Sequence, residues 1–182
     1  VIRASLPSAY LAGGAIRDFD NHRHVKDLDV FFTDTPKDFG ALEDTLAKLG
    51  YFYKAHCPGQ YLDGTAREVN GSSVYQSTED QPDLNLIQLD EGFNSASIIE
   101  RVDFGLCQIG ADCLGVEYTP AYEYDRTHEV LTLTRADSVE GVRRSLIRYD
   151  RLTQKYRGWP LNVPAEFEAI VAEARKPKQT WT

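Results

Sequence analysis

The alternation of apolar and polar residues predicts β-strands over much of the first 135 residues. The clearest case is Asp27–Phe32, where every second side chain is apolar, so one face of the strand is hydrophobic and the other begins with two acids. Between Tyr51 and Gln76 the chain is rich in Tyr, Gly and Ser, which predicts short strands and a mobile loop around residues 64–73. Further strands are predicted at residues 9–12, 84–89, 103–109 and 130–134.

Apolar residues at intervals of three and four predict the helices. Thr35 suits the N-cap of a helix and Pro36 its first position, and the apolar spacing that follows continues to Gly50, which favours a helix end. A longer apolar stripe follows Ser138 and continues to Tyr156. The other predicted helices are a turn at 16–19, a short helix at 95–101 and a last helix from residue 164. Strands early in the chain and helices late in it predict an α+β fold.

The chain of 182 residues shows no repeat and no Gly/Ser-rich or Pro-rich linker. We therefore expect a continuous core over residues 1–135, followed by a C-terminal helical extension over 136–182 that packs on this core. At this length a compact fold buries roughly 70% of the surface that its unfolded chain would expose. A stable core therefore needs neither disulfides nor a structural metal.

The net charge and the cysteine content exclude some classes of protein. The chain has 20 basic and 28 acidic residues, a net charge of −8, which excludes a protein that coats nucleic acid through bulk electrostatics. Cys57, Cys107 and Cys113 are an odd number without metal-ligand spacing, so we expect reduced thiols and no disulfide partner. No apolar stretch approaches the ~20 residues of a membrane span, and the amino terminus has no signal pattern. We expect a cytoplasmic protein that does not contact membranes.

The chemistry is concentrated between residues 13 and 29. Asp27 and Asp29 are separated by one residue on a predicted strand, so both carboxylates point the same way and can bind one hard cation or two bridged cations. Such a pair is what Mg²⁺-dependent phosphoryl or nucleotidyl transfer needs. Gly13-Gly14, at the end of the preceding predicted strand, allows a backbone turn to approach a triphosphate closely.

This stretch resembles the signature G-G-x-x-R-D-x(3)-G-[RK]-x(3)-D-[ILF]-D of the polymerase β-like nucleotidyltransferase superfamily. Within it, the pattern is closest to the tRNA nucleotidyltransferase (CCA-adding) and bacterial poly(A) polymerase head domain. Every spacing matches, although His22 stands where the family has Gly, and Asp20-Asn21 replace an apolar pair. The matching residues are Gly13, Gly14, Arg17, Asp18, Arg23, Asp27 and Asp29.

The resemblance implies a fold, an activity and a set of roles. The fold would be a nucleotidyltransferase fold, with a mixed central sheet flanked by helices. The activity would be transfer of NMP from an NTP, ATP or CTP, to a hydroxyl acceptor such as an RNA (tRNA) 3′ end, with two Mg²⁺ ions. Gly13 and Gly14 would hold the triphosphate, Asp27 and Asp29 would bind the metals, and the other matching residues would fix the helix and the nucleotide. Lys26, next to the acids, is a further candidate nucleotide contact.

A third carboxylate is usual in this superfamily, on a strand next to the acid pair. Asp103 is our candidate, because it opens an otherwise apolar predicted strand and Asp103-Phe104 resembles part of the family motif R-R-D-F-T-I-N-A. It would be the third catalytic metal ligand or a ribose contact, and the structural alternative is a helix N-cap or turn acid. Asp90 and Glu91 are the second choice for this position.

Arg144 and Arg148 belong to a basic stripe on the predicted helix after Ser138. They would bind the triphosphate or the acceptor strand, or they would form only the solvated face of a helix. The acceptor is open as well: the alternatives to RNA are a protein or small-molecule hydroxyl, and a non-catalytic nucleotide-binding module would also be compatible with the fold. The sequence does not indicate an oligomeric state.

Overall fold

The computed structural model describes residues 2–36, 38–57, 69–78 and 80–177, with only the backbone at Cys57. These residues form two compact units, Val1–Glu100 with Ile109–Tyr118 and Arg101–Gln108 with Thr119–Thr182. The division into a core over 1–135 and an extension over 136–182 stays a prediction about domains.

Among its described residues, the first unit contains a seven-stranded sheet and four helices. Its elements in chain order are α1 (Ile2–Ser5), β1 (Tyr10–Ala12), α2 (Gly14–Asp20), β2 (Asp27–Phe32), α3 (Phe39–Lys48), β3 (Tyr51–Cys57), β4 (Val69–Ser77), β5 (Asp83–Leu89), α4 (Ser95–Glu100), β6 (Ile109–Ala111) and β7 (Val116–Tyr118). The strand order is β3-β4-β5-β2-β1-β6-β7. Strands β2 and β5 pair in parallel and the other neighbours are antiparallel. The sheet is therefore mixed, which confirms the predicted α+β fold.

Strand β2 lies between β5 and β1 and has an apolar core on both of its faces. Val30 and Phe32 are buried with Leu42 and Leu46 of α3 on one face. Phe31 packs on the other face, in a cluster with residues of α4. The alternation predicted for β2 is thus confirmed, and the faces of this strand diverge only at its start, where Asp27 and Asp29 replace the apolar side chains of the α4 face.

Two predictions about the first unit are corrected. Helix α3 begins at Phe39 and not at Pro36, because the Asp38 carboxylate accepts a hydrogen bond from Ala41 N (3.0 Å) and provides the cap that Thr35 was expected to provide. The predicted loop around 64–73 lies partly outside the described residues, and its last part is strand β4. Residues 69–73 are strand because the ladder to β5 includes them.

The second unit is mainly helical. It contains α5 (Pro120–His128), β8 (Leu131–Thr132), α6 (Val139–Lys155), β9 (Leu161–Asn162) and α7 (Glu168–Ala174), with 3₁₀ turns at Gly105–Cys107 and Ala165–Phe167. The predicted strand at 130–134 is reduced to β8, which pairs in parallel with β9. Helix α6 starts as predicted, with the Ser138 hydroxyl accepting from Gly141 N at 3.0 Å. None of the helices in the described part of the chain is long and apolar enough to cross a membrane.

The strand predicted at 103–109 is wrong. Phe104 forms only an isolated bridge with Leu133, and the next residues form a 3₁₀ turn. The turn is fixed by Asp125 of α5, whose Oδ2 accepts a hydrogen bond from Leu106 N at 2.7 Å. A Cβ at Gly105 would lie 2.8 Å from this Oδ2, so the backbone passes α5 too closely for any residue but glycine. The apolar residues 104–107 are therefore buried because they pack against α5, and not because they form a strand of the sheet.

Candidate active site

Asp27 and Asp29 lie at the start of β2 on one face of the sheet, opposite Val30. The Asp27 side chain is 38% exposed, and the nearest ion pair is Lys26 Nζ at 3.9 Å from Asp27 Oδ2. Lys26 is itself 81% exposed. An exposed pair at this distance contributes little, so the carboxylate is accessible to a cation from solution.

The neighbouring strand β5 adds two polar residues that the sequence argument missed. In the parallel register Asp83 lies beside Asp27 and Asn85 beside Asp29. Asn85 Nδ2 donates a hydrogen bond to Asp29 Oδ1 at 2.8 Å, which orients that carboxylate. A signal was present in the sequence, because Asp83-Leu84-Asn85-Leu86 repeats the polar and apolar pattern of Asp27-Leu28-Asp29-Val30. Only the strand pairing shows that the two patterns are adjacent.

The donor set fits magnesium. Two carboxylates on one face supply hard oxygen ligands, and Mg²⁺ is commonly held by one or two carboxylates together with water and substrate phosphates. Within residues 2–36, 38–57, 69–78 and 80–177, no group of three or more His, Cys, Asp or Glu side chains is placed to hold a metal. The second-choice acids Asp90 and Glu91 follow the far end of β5, roughly 20 Å from Asp83 along the strand. Asp27 and Asp29 therefore fit a Mg²⁺ ion whose remaining ligands would be water and phosphate oxygens.

The turn at Gly13 has a conformation that requires glycine. Its φ is 75° and its ψ is −124°, and no atom lies within 4 Å of the position that a Cβ would occupy. Open space is therefore present beside this turn. The Gly13 N–H donates to Ile109 O at 2.8 Å, so it is already used within the sheet. Gly14 begins α2, and a Cβ there would meet only the end of the Arg17 side chain at 3.6 Å.

Arg17 and Asp18 are buried and form an ion pair, with Arg17 Nε 2.7 Å from Asp18 Oδ1. The backbone of Asp18 also accepts a hydrogen bond from Arg23 N at 2.7 Å. These contacts fix the connection from α2 to β2. His22 in this connection has a φ of 54°, the left-handed region that glycine favours, which explains why the family pattern has Gly at this position. Arg23, like Lys26, is exposed.

Asp103 belongs to the second unit, and its carboxylate contacts α6. Arg148 Nη1 lies 2.7 Å from Asp103 Oδ1, and Ser145 Oγ donates to Asp103 Oδ2 at 2.6 Å. The structure thus brings together two residues that the sequence proposed separately, Asp103 and Arg148, and adds Ser145. Arg144 lies one turn before Arg148 on the same helix and is half-buried. The other predicted site residues belong to the first unit: Gly13, Gly14, Arg17, Asp18, Arg23, Lys26, Asp27 and Asp29.

Solved structures of tRNA-processing enzymes have this arrangement of elements. A tRNA-processing enzyme complex matches with a TM-score of 0.59 and 15% identity over 95% of this chain and 45% of that chain. A tRNA nucleotidyltransferase complexed with a primer tRNA and an incoming ATP analog matches with a TM-score of 0.59 and 14% identity over 91% and 46% of the two chains. The chain has the nucleotidyltransferase fold of the tRNA nucleotidyltransferase head domain. A Thermotoga maritima CCA-adding enzyme complexed with tRNA shares this fold with a TM-score of 0.62 at 12% identity, over 91% of this chain and 37% of that chain.

The likeness to proteins with the nucleotidyltransferase fold is structural. No protein-family model matches the sequence, and no curated protein matches it. The chain spans less than half the length of the solved structures that it matches. At these identities the comparison establishes the fold, and the residues of the site must carry the functional argument.

Proposed function

We propose that this chain is the catalytic head of a Mg²⁺-dependent nucleotidyltransferase, which transfers NMP from an NTP to a hydroxyl acceptor. The observation that carries the proposal is the position of Asp27 and Asp29. They lie on one face of β2 in a nucleotidyltransferase fold, with Asn85 orienting Asp29 and the Gly13 turn at the end of the adjacent strand.

Different residues of the first unit would bind the metal ions and the triphosphate. Asp27 and Asp29 would hold two Mg²⁺ ions, which when bound activate the acceptor hydroxyl and neutralise the leaving pyrophosphate. Gly13 and Gly14 would leave room for the triphosphate beside the turn. Arg17 and Asp18 are buried together, so their contribution is to fix α2, and Arg23 and Lys26, both exposed, would contact the phosphates.

Arg144 and Arg148, the other predicted nucleotide contacts, lie on α6 of the second unit. Arg148 exposes 46% of its side chain, and Arg144 is its neighbour on α6. Both oxygens of Asp103 are engaged by donors of α6. A metal at Asp103 would have to displace Arg148, so we assign Asp103 to the nucleotide side and not to the metals.

The nucleotide would be ATP or CTP and the acceptor an RNA 3′ end. Structures with the same fold have been solved with CTP and with an ATP analog and a primer tRNA. The net charge of −8 means that the chain itself would hold RNA only through local contacts. We place the reaction in the cytoplasm, where the free thiols of Cys107 and Cys113 remain reduced.

The test is transfer of label from ATP or CTP, with Mg²⁺, to three acceptors assayed separately: tRNA without its 3′ terminus, a total protein extract and a small-metabolite extract. We expect transfer to the tRNA. The double variant Asp27→Asn/Asp29→Asn should lose more than about a hundredfold of the rate, since metal stabilisation of the transition state contributes several kcal/mol. Asp44→Asn removes an exposed acid of α3 and is the matched control, with unchanged transfer.

Each outcome has one meaning. Transfer by the wild type that the double variant retains would contradict the two-carboxylate mechanism. Label found only on protein or on a small molecule would keep the activity and replace the acceptor. Tight binding of ATP or CTP by the wild type without any transfer would identify a nucleotide-binding module and overturn the proposed enzyme.

A further inference from the structure

Asn85 is a neutral side chain among the acids at the start of strands β2 and β5. In the parallel register it lies beside Asp29, so the two side chains point to the same face of the sheet. Further along β5 this face becomes apolar, since Ile87 and Leu89 are 2% and 1% exposed. Asn85 therefore belongs to the polar end of the face that carries Asp27 and Asp29, and all of these residues belong to the first unit.

The hydrogen bond to Asp29 fixes which way the Asn85 amide points. Asn85 Nδ2 lies 2.8 Å from Asp29 Oδ1. An ionised carboxylate only accepts hydrogen bonds, so the amide nitrogen, and not the amide oxygen, has to face Asp29. Because the amide group is planar, the same bond fixes Asn85 Oδ1, and no donor among the described residues binds this oxygen. The protein thus holds an oriented oxygen acceptor next to Asp29.

An acid would fit the strand at residue 85 but could not make this hydrogen bond. Two residues earlier, Asp83 of β5 lies beside Asp27, so the same pair of strands accepts two neighbouring acids. At residue 85 a carboxylate would face Asp29 without a hydrogen to donate, and the two negative charges would repel each other. The Asn85 amide therefore does what an acid cannot do here: it donates to Asp29 and adds no negative charge.

We propose that Asn85 is a positioning residue for the metal: Nδ2 holds Asp29, and Oδ1 accepts a hydrogen bond from water in the hydration shell of the bound Mg²⁺. This inference rests on the proposed function. Mg²⁺ gives up water reluctantly and keeps several water ligands beside one or two carboxylates, so an acceptor next to Asp29 meets such a water. Side chains that bind the ligands of a metal, without touching the ion, typically contribute about tenfold to hundredfold to its affinity.

The test is the affinity of the protein for Mn²⁺, which prefers the same oxygen ligands as Mg²⁺ and whose free concentration is measured by electron paramagnetic resonance. Asn85→Leu keeps the size of the side chain and removes both hydrogen bonds, so we expect Mn²⁺ to bind at least about tenfold more weakly. Asn85→Ser, whose hydroxyl is too short to reach Asp29, should lose as much. Asn70→Leu changes an exposed amide of β4 and is the matched control, with unchanged affinity.

A double-mutant cycle identifies the path of the effect. If Asn85 acts through Asp29, the loss caused by Asn85→Leu should shrink to less than about threefold in Asp29→Asn, because the carboxylate to be held is gone. In Asp27→Asn the loss should remain about tenfold, since Asn85 still holds Asp29. Equal losses in the two backgrounds would show that Asn85 does not act through Asp29, and they would overturn the inference.

Metal binding and transfer are measured separately, so the two proposals fail separately. A Mn²⁺ affinity within about twofold of the wild type in both Asn85 variants, beside normal transfer by the wild type, would overturn the role of Asn85 and leave the proposed function standing. Mn²⁺ binding that Asn85→Leu weakens, in a protein that transfers no label, would keep the positioning role and overturn the enzyme. A wild-type protein that neither binds Mn²⁺ nor transfers label would overturn both. Thermal unfolding of each variant in EDTA, at unchanged midpoint, excludes a loss caused by misfolding.

Discussion

Asp27 and Asp29 in the first unit and Asp125 in the second are all carboxylates, and they differ in what neutralises them. Asp27 is more than one-third exposed, and its nearest cation is a solvent-exposed lysine at 3.9 Å. Asp125 is completely buried, and its Oδ2 accepts hydrogen bonds from Leu106 N at 2.7 Å and Thr132 N at 2.9 Å. The comparison teaches that a buried aspartate can have a purely structural role: Asp125 joins two backbone segments, whereas Asp27 keeps much of its carboxylate in solvent.

Removing the buried acid should have the largest effect on stability. Asp125→Ala leaves Leu106 N and Thr132 N without their acceptor, so we expect a loss of about 3 kcal/mol in the free energy of unfolding. Asp27→Ala removes an accessible acid and should change it by less than about 0.5 kcal/mol. Urea unfolding of the two variants measures both values. Equal losses at the two positions would contradict the distinction between a structural and an available carboxylate.

A side chain at residue 105, placed against Asp125, should destabilise the protein somewhat less than the loss of Asp125. In Gly105→Ala the new Cβ would lie 2.8 Å from Asp125 Oδ2 and 2.9 Å from Ala121 O. The backbone oxygen cannot move freely, so we expect a loss of about 2 kcal/mol. Gly40→Ala is the control, because its Cβ would meet only the Asp38 side chain, at 3.3 Å. Denaturation midpoints that shift equally in both variants would show that the approach of residues 105–107 to α5 is not tight.

Burial of Asp125 should make the stability of the protein depend on pH. Burial raises the pKa of Asp125 in the folded protein above its ordinary value. The folded state therefore binds more protons than the unfolded state between the unfolded and the folded pKa, and stability falls as the pH rises through this interval. Asp125→Asn keeps an acceptor without the charge, so its stability relative to the wild type should increase over the same interval. A difference between the two proteins that is constant from pH 3 to pH 8 would contradict a buried ionising group.

Binding of Mg²⁺ should have the smallest effect on stability, and this effect should depend on Asp27 and Asp29. When the Mg²⁺ concentration equals the dissociation constant, binding to the folded state adds about 0.4 kcal/mol to the free energy of unfolding. Asp27→Asn/Asp29→Asn should abolish this gain, and Asp125→Asn should keep it. The thermal midpoint with and without EDTA measures the effect. A gain that survives in the double variant would place the ion elsewhere.

The sequence was sufficient where local rules and burial agree. Strand β2 has the predicted bounds, because its alternation and its aromatic residues favour the same element. Helix α6 begins after Ser138 for the same reason, since its cap and its apolar stripe start together. The α+β class and the position of Asp27 and Asp29 on one face could therefore be predicted from the pattern of residues, whereas the nucleotidyltransferase fold was predicted from the resemblance of residues 13–29 to a family signature.

The sequence was insufficient where distant segments decide the outcome. The strand predicted from Asp103 onward becomes a 3₁₀ turn because Asp125, twenty-two positions later, binds its backbone. Helix α5, capped by the Thr119 hydroxyl with Pro120 at its start, was missed because its polar composition conceals the capping signal. Asn85 could not be assigned to the site, because strand pairing is not a local property of the sequence.

The parallel pairing of β2 and β5 has a consequence for synthesis of the protein. Asp29 and Asn85 are 56 positions apart, so α3 and the β3–β4 pair are translated between β2 and β5. Pairing over such a separation forms late, since the entropy of closing a long loop must be overcome first. A nascent chain that has completed β1 and β2 thus already carries both acids, but their polar neighbour on β5 has not yet been made. We expect the nascent chain to become able to bind metal only after β5 leaves the ribosome.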